Sequence, residues 1–280
     1  MGDEAAFAYN RTYCGPVQAV IFDWAGTICD FGSLAPAEVF VATFARHGVA
    51  ISLAEARGPM GTEKRAHIQA LLEMPAVRER FLRAHDRRPE ERDVDTLYAD
   101  FVPMQLEVLE RFAELVPGTL ETVAALRARG IRIGSNTGYS SDMTAINLAA
   151  AARQGLVPDS TVSADQVPRG RPAPAMCLAN AIALGAGCVQ GCVKVDDTIP
   201  GIEEGLNAGM WTVAVAVSGN EVGLSRAAWE ALDDAARAPL RQRARHRLAQ
   251  AGAHYVVDTI AELVPCIDAI EARLARGERP

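Results

Sequence analysis

The stretch Val17-Gln-Ala-Val-Ile-Phe-Asp-Trp-Ala-Gly-Thr27 decides how the rest of the chain is read. Its first six residues form a short apolar run rich in β-branched side chains, set off by Gly15-Pro16 before it and Gly26 after it. Such a run reads as a strand buried on both faces. Asp23 then stands at the strand's carboxyl end, where open α/β sheets form their ligand crevice. A carboxylate there serves either chemistry or the capping of a turn, and its neighbours along the chain decide which.

Working outward, residues 1–16 read as a loosely held N-terminal arm. Residues 33–113 are helical throughout, with Pro36 at a helix start and Val39, Phe40, Phe44, Ile68, Leu71 and Leu72 recurring at three- and four-residue spacing. From Pro117-Gly118 the texture changes. Helical segments at 119–129, 142–154, up to 184, and 201–208 alternate with strands at 131–137, 160–163, 192–195 and 211–217. The tail from Arg226 is helical, with an edge strand at 254–257. The expected fold is α/β: a Rossmann-like doubly wound parallel sheet core (17–32 and 114–280) with an all-helical cap, 33–113, inserted after the first strand.

Composition narrows the function. The 280 residues are 49% hydrophobic and 22% charged, enough for a full core. A formal charge of −7 argues against a nucleic-acid partner. No apolar run approaches the ~20 residues that span a bilayer, and the N-terminus lacks the basic start and apolar middle of a signal peptide, so no membrane partner and a cytoplasmic location are expected. The six cysteines form no Cys-x-x-Cys pair and read as reduced, buried small hydrophobes. Of 28 basic residues only Lys64 and Lys194 are lysine, which hints at amine chemistry that a guanidinium cannot perform.

The strands end in polar groups that can face one crevice: Asp23, Thr137, Arg171 in the loop after the third strand, and Asp197. Two carboxylates converging on a dry crevice repel unless a cation sits between them, and Mg²⁺ with oxygen ligands fits. A hydroxyl and a guanidinium added to that pair make a pocket for a tetrahedral dianion, the guanidinium giving forked hydrogen bonds. Phosphoryl transfer is the chemistry these groups suit.

Asp-Trp-Ala-Gly-Thr (23–27), Gly-Ser-Asn-Thr-Gly-Tyr (134–139), Arg-Pro-Ala-Pro (171–174) and Val-Asp-Asp (195–197) together resemble the haloacid dehalogenase superfamily of aspartate-nucleophile phosphotransferases. Ala25, Pro59-Met60-Gly61 with Lys64 and His67, and Asn207-Ala-Gly-Met-Trp-Thr-Val narrow the resemblance to its phosphonatase branch, over residues 17–262. The resemblance implies hydrolysis of a carbon–phosphorus bond in a small phosphonate aldehyde by a homodimer. Asp23 would be the nucleophile, and Mg²⁺ would be held by Asp23, the backbone carbonyl of Ala25 and Asp197. Thr137, Arg171 and the turn at Gly26 would serve the phosphoryl group, Tyr139 would line its side, Met60 would pack beside Lys64, and Ser33 stands where some relatives have cysteine. Many relatives carry a further acid where this chain has Gly201, so Asp196 or Glu203 would compensate.

Most of the superfamily also carries an aspartate two residues after the nucleophile, which protonates a leaving oxygen. Ala25 at that position fits either a protein that only binds phosphate or an enzyme whose leaving group is carbon. A departing carbanion needs an electron sink, which a Lys64 imine supplies. That lysine must be desolvated or set near cations such as Arg65 to be neutral enough to attack. His67, one turn along, either shuttles protons or is structural. The alternatives are a phosphate-ester phosphatase or mutase of the same fold, and a non-catalytic phosphate-binding protein.

Overall fold

The computed structural model describes residues 12–280. β1 (Ala19–Phe22) leads into five helices, α1 (Leu34–Arg46), α2 (Leu53–Arg57), α3 (Lys64–Glu73), α4 (Pro75–His85) and α5 (Glu91–Leu109). The chain continues through α6 (Thr119–Ala128), β2 (Arg132–Thr137), α7 (Ser141–Arg153), β3 (Ser160–Ser163), α8 (Ala175–Ala183), β4 (Cys192–Asp196), α9 (Ile199–Asn207) and β5 (Trp211–Val215). It closes with α10 (Arg226–Glu230), α11 (Asp234–Gln250), β6 (Tyr255–Val257) and α12 (Leu263–Ala275).

The six strands form one parallel sheet in the order β3-β2-β1-β4-β5-β6. β1 lies between β2 and β4, with Phe22 in register with Ser135 and Val195, so the ends of all three strands meet. Alternation along β1 assigns its two faces. Val20 and Phe22 pack with Val193, Val195 and Val213 against α6 and α12, while Ala19 and Ile21 pack with Cys192 against Cys177, Ala181 and Leu184 around α8. Helices thus cover both faces, as the continuous apolar strands require.

The five helices between β1 and β2 bury their own apolar cluster. Phe40, Phe44, Ile68, Leu71 and Phe101 are fully buried in it, and the rings of Phe40 and Phe101 stack at 4.4 Å. Tyr139 and Met143, from the loop after β2 and from α7, belong to the same cluster and seat it over the sheet's carboxyl edge.

Some boundaries differ from the sequence reading. β1 begins at Ala19, β5 ends at Val215, and α9 begins at Ile199 because the Thr198 hydroxyl caps it by accepting from Gly201 N–H. The expected loose arm falls mostly on residues 1–11, outside the described residues. Its described end is anchored: Tyr13 packs on the main core cluster and its N–H donates to Gln190 Oε1 at 3.1 Å. Among the described residues no helix is long and apolar enough to cross a membrane.

Phe101→Ala removes a buried ring from the helical cluster and is expected to cost about 3–5 kcal/mol, whereas Leu53→Ala, half exposed on α2, stays within about 0.5 kcal/mol of the parent. Urea unfolding of both variants checks this.

Candidate active site

Asp23 follows β1 directly, its N–H bonded to Val195 O at 2.9 Å, and its side chain is buried. Beyond it the chain turns sharply: the N–H groups of Thr27, Ile28 and Cys29 all donate to Trp24 O, and Gly26 adopts φ +86°. A side chain on Gly26 would run into the Asp197 carboxylate, so only glycine lets the turn lie against it.

Asp23, Asp196 and Asp197 bring carboxylate oxygens within 4.8 Å of one another. Burial and the Asp196 charge push Asp23 up to about 6, against the pull of Arg171 and Lys194. Burial, with repulsion from Asp23 and Asp196, pushes Asp197 well above the usual carboxylate range. Burial opposes ionisation of Asp196 as well, but Arg171 and Lys194 outweigh it and hold that carboxyl below its ordinary value. Asp197 accepts from Asn220 N–H at 2.7 Å and from the Thr27 hydroxyl at 3.4 Å.

A ring of buried ion pairs lies beneath the triad. Arg171 Nη2 meets Asp23 Oδ1 at 2.7 Å and Asp196 Oδ2 at 3.3 Å, and its Nε donates to Glu204 at 2.9 Å. Lys194 Nζ lies 3.0 Å from Asp196 and donates to Asn136 Oδ1 at 2.5 Å, and Asn136 Nδ2 donates to Glu204 at 3.1 Å. Four carboxylates, Asp23, Asp196, Asp197 and Glu204, therefore face two cations, Arg171 and Lys194. The two uncompensated negative charges, converging as oxygen donors, fit one divalent cation. Ala25, whose carbonyl is the remaining expected ligand, lines the cavity beside Asp23.

The cap supplies the opposite wall. The Glu63 carboxylate accepts from the N–H groups of Arg65 and Ala66, which starts α3 at Lys64 and fixes its direction. Lys64 is buried, with Nζ 4.7 Å from the Tyr139 ring centroid and 5.8 Å from that of Phe40. Among the described residues no carboxylate lies within ion-pairing distance of it. Burial lowers its pKa to about 8, with Asp23 opposing and Arg171 assisting. Arg65, expected as the helping cation, instead points outward and pairs with Glu91 and Asp95 on α5.

Asp23, Ala25, Ser33, Met60, Lys64, Thr137, Tyr139 and Arg171 line one small cavity of about 20 Å³. It has room for about one water. A wider space of about 370 Å³ shares Lys64, Gly138 and Arg171 with it and is also lined by Glu63, Tyr98 and Arg169. Thr137 Oγ1 accepts from Tyr139 N–H at 3.2 Å, so its own proton is free to donate. The expected Arg171 fork differs in detail: Nε and Nη2 are committed to protein partners, and Nη1 is left with one 3.3 Å bond to Gly61 O.

His67 does not line the cavity. Its ring is stacked on Phe40 at 3.9 Å, Nε2 donates to Ala56 O at 2.8 Å, and burial with the nearby Lys64 charge holds it neutral, well below its usual pKa. Of the two residues expected to compensate for Gly201, Asp196 joins the triad and Glu203 does not. Any side chain at 201 would fall within the Asp196 carboxyl group, so an acid at 196 and a side chain at 201 exclude one another. Sequence reading missed Asn136, Glu204 and Asn220, and it did not place Lys194. Lysine scarcity marked Lys194, and its position two residues before Asp196, on the same face of β4, was the available signal.

The haloacid dehalogenase-like hydrolase family profile matches residues 17–209. Phosphonoacetaldehyde hydrolase of Hahella chejuensis is 52% identical over 275 residues, covering 98% of this chain and 94% of its own, and that of Bordetella pertussis is 49% identical over 264 residues, covering 94% and 96%. The crystal structure of a phosphonoacetaldehyde hydrolase-like protein from Oleispira antarctica superposes with a TM-score of 0.96 at 48% identity, covering 98% of this chain and 99% of that one. The chain belongs to the haloacid dehalogenase-like hydrolases and, among them, to the phosphonoacetaldehyde hydrolase family.

Gly201→Ala is expected to destabilise by about 1–3 kcal/mol through overpacking against Asp196. In a double-mutant cycle, Asp196→Gly together with Gly201→Ala should cost at least about 1 kcal/mol less than the two singles added, because removing the carboxylate opens the space.

Proposed function

We propose that this chain hydrolyses the carbon–phosphorus bond of phosphonoacetaldehyde to acetaldehyde and phosphate, with Mg²⁺ as its cation. One observation carries the reading: Lys64, one of only two lysines, presents to the cavity that holds Asp23 a buried amine with no carboxylate partner among the described residues. Ala25 leaves that cavity without an acid two residues past the nucleophile, as a carbon leaving group allows.

In this reading, the neutral Lys64 amine adds to the aldehyde, one proton is taken up and water departs, giving a protonated imine. Tyr139 and Met60 exclude solvent around it. The Asp23 carboxylate, aimed by Arg171, attacks phosphorus in line, with Thr137 O–H and Arg171 Nη1 donating to the phosphoryl oxygens. The N–H groups of Gly26 and Thr27 are committed to Cys29 O and Trp24 O, so they do not serve the phosphoryl group as the resemblance implies. The electron pair of the breaking bond moves into the imine, and carbon leaves as the enamine. Water then hydrolyses the aspartyl phosphate, and protonation and hydrolysis of the enamine release acetaldehyde and restore Lys64. Held by Asp23, the Ala25 carbonyl and Asp197, Mg²⁺ would supply the charge neutralisation that lets a carboxylate approach a dianion. His67, its Nε2 committed to Ala56, can take part in proton movement only through Nδ1 as an acceptor.

Borohydride added with phosphonoacetaldehyde should fix a two-carbon adduct on Lys64 alone, read by peptide mass spectrometry. An adduct on Lys194, or none, contradicts the reading. Lys64→Arg keeps the charge but not the nucleophile and should lower phosphate release by more than about 10³-fold at unchanged thermal stability. Efficient turnover of simple phosphomonoesters by the parent enzyme would favour the ester phosphatase instead.

A further inference from the structure

The cap touches the triad side of the sheet at one well-built junction that the proposed reaction does not use. Arg57, the last residue of α2, reaches across to the loop that follows β5. Its Nη1 donates to Gly32 O at 2.9 Å and to Asn220 Oδ1 at 3.1 Å, and its Nη2 donates to Gly223 O at 3.0 Å. Asn220 answers with Nδ2 to Arg57 O at 3.3 Å. Gly223, at φ +64°, lies so close under the guanidinium that a Cβ there would come within 2.7 Å of Arg57 Cζ. The receiving loop is therefore shaped around this one side chain.

Asn220 is also the residue whose backbone N–H holds Asp197 Oδ2 at 2.7 Å. The same loop reaches the other side of the triad, for the Ser218 hydroxyl donates to Gly26 O at 3.0 Å and Gly32 N–H donates to Ser218 O at 2.7 Å. The cavity of about 20 Å³ beside Asp23 is too small for a phosphonate and the cap forms its opposite wall, so seating a substrate against Asp23 calls for the cap to shift. Such a shift breaks the Arg57–Asn220 pair and removes the cap's hold on the loop whose Asn220 N–H bonds Asp197.

We infer that Arg57 and Asn220 form a latch through which closure of the cap sets the Asp197 carboxylate, so that the triad binds its cation well only when the cap is seated. Arg57 is a positioning residue in this scheme, acting through Asn220. Lysine cannot replace it, because one ammonium cannot reach Gly32, Asn220 and Gly223 at once. The inference rests on the proposed placement of a divalent cation at Asp197, and its deciding measurement, Mn²⁺ binding, is independent of phosphonoacetaldehyde turnover.

Mn²⁺ binding to the full chain, followed by electron paramagnetic resonance without substrate, reads the latch directly. Arg57→Lys and Asn220→Ala should each weaken Mn²⁺ binding about fivefold or more, while far-ultraviolet circular dichroism stays at the parent level. In steady-state assays Arg57→Lys should raise KM more than it lowers kcat, and free guanidinium at millimolar concentration should restore Mn²⁺ affinity to Arg57→Ala. Unchanged Mn²⁺ affinity in both Arg57→Lys and Asn220→Ala would overturn the latch. Failure of Mn²⁺ to bind the parent chain would instead overturn the cation placement beneath it, and failure of borohydride trapping at Lys64 in a parent that binds Mn²⁺ would overturn the imine alone.

Discussion

Four buried carboxylates share one dry corner of the sheet with two buried cations, and the rest of the structure follows from that imbalance. Asp23, Asp196 and Asp197 come from the ends of adjacent parallel strands, and Glu204 rises beneath them from α9. Burying unmatched charge at this density is tolerable only if something positive arrives. The fold supplies part of it through Arg171 and Lys194, and the remainder marks where a divalent cation would be held. Burial first, and repulsion among these carboxylates second, raise the pKa values of Asp23 and Asp197.

The cap brings a different kind of group to the same place. Lys64 is desolvated between the rings of Tyr139 and Phe40 and has no counter-ion among the described residues, so its proton is weakly held. Moving a lysine from its ordinary value to about 8 corresponds to roughly 3 kcal/mol in favour of the neutral amine. Neither layer alone can break a carbon–phosphorus bond. In the proposed reaction the sheet would supply the nucleophile for phosphorus and the cap the amine for the aldehyde, and Arg171, bonded to both Asp23 and Gly61 O, spans the boundary.

Much of this was legible in the sequence because it depends on local pattern. Apolar β-branched runs mark the strands, and the polar residue after each run must fall at the sheet's carboxyl edge, which placed Asp23, Thr137 and Asp197. The periodic apolar positions from Val39 to Leu72 likewise marked the helical insertion. What escaped was set by rotation and by long-range packing. Arg65 follows Lys64 in sequence, but one residue turns a helix by about 100°, so it faces solvent and α5 while Lys64 faces inward. Glu204 looks like a surface acid in Glu203-Glu204, and only its position on the inner face of α9 turns it toward Arg171. Asn136 stands inside the 134–139 motif but with no charge to single it out, and Asn220 carries no mark in sequence. Their value comes from the partners that the fold brings to them.

The measurement closest to the central claim is the titration of the Lys64 amine itself. With only two lysines in the chain, ¹³Cε-lysine labelling gives two resonances, and Lys64→Arg assigns them. The account predicts that the Lys64 signal titrates with a midpoint near 8, because burial disfavours the charged amine. A midpoint at the ordinary lysine value of ~10.4 would mean a hydrated, protonated side chain and would contradict it.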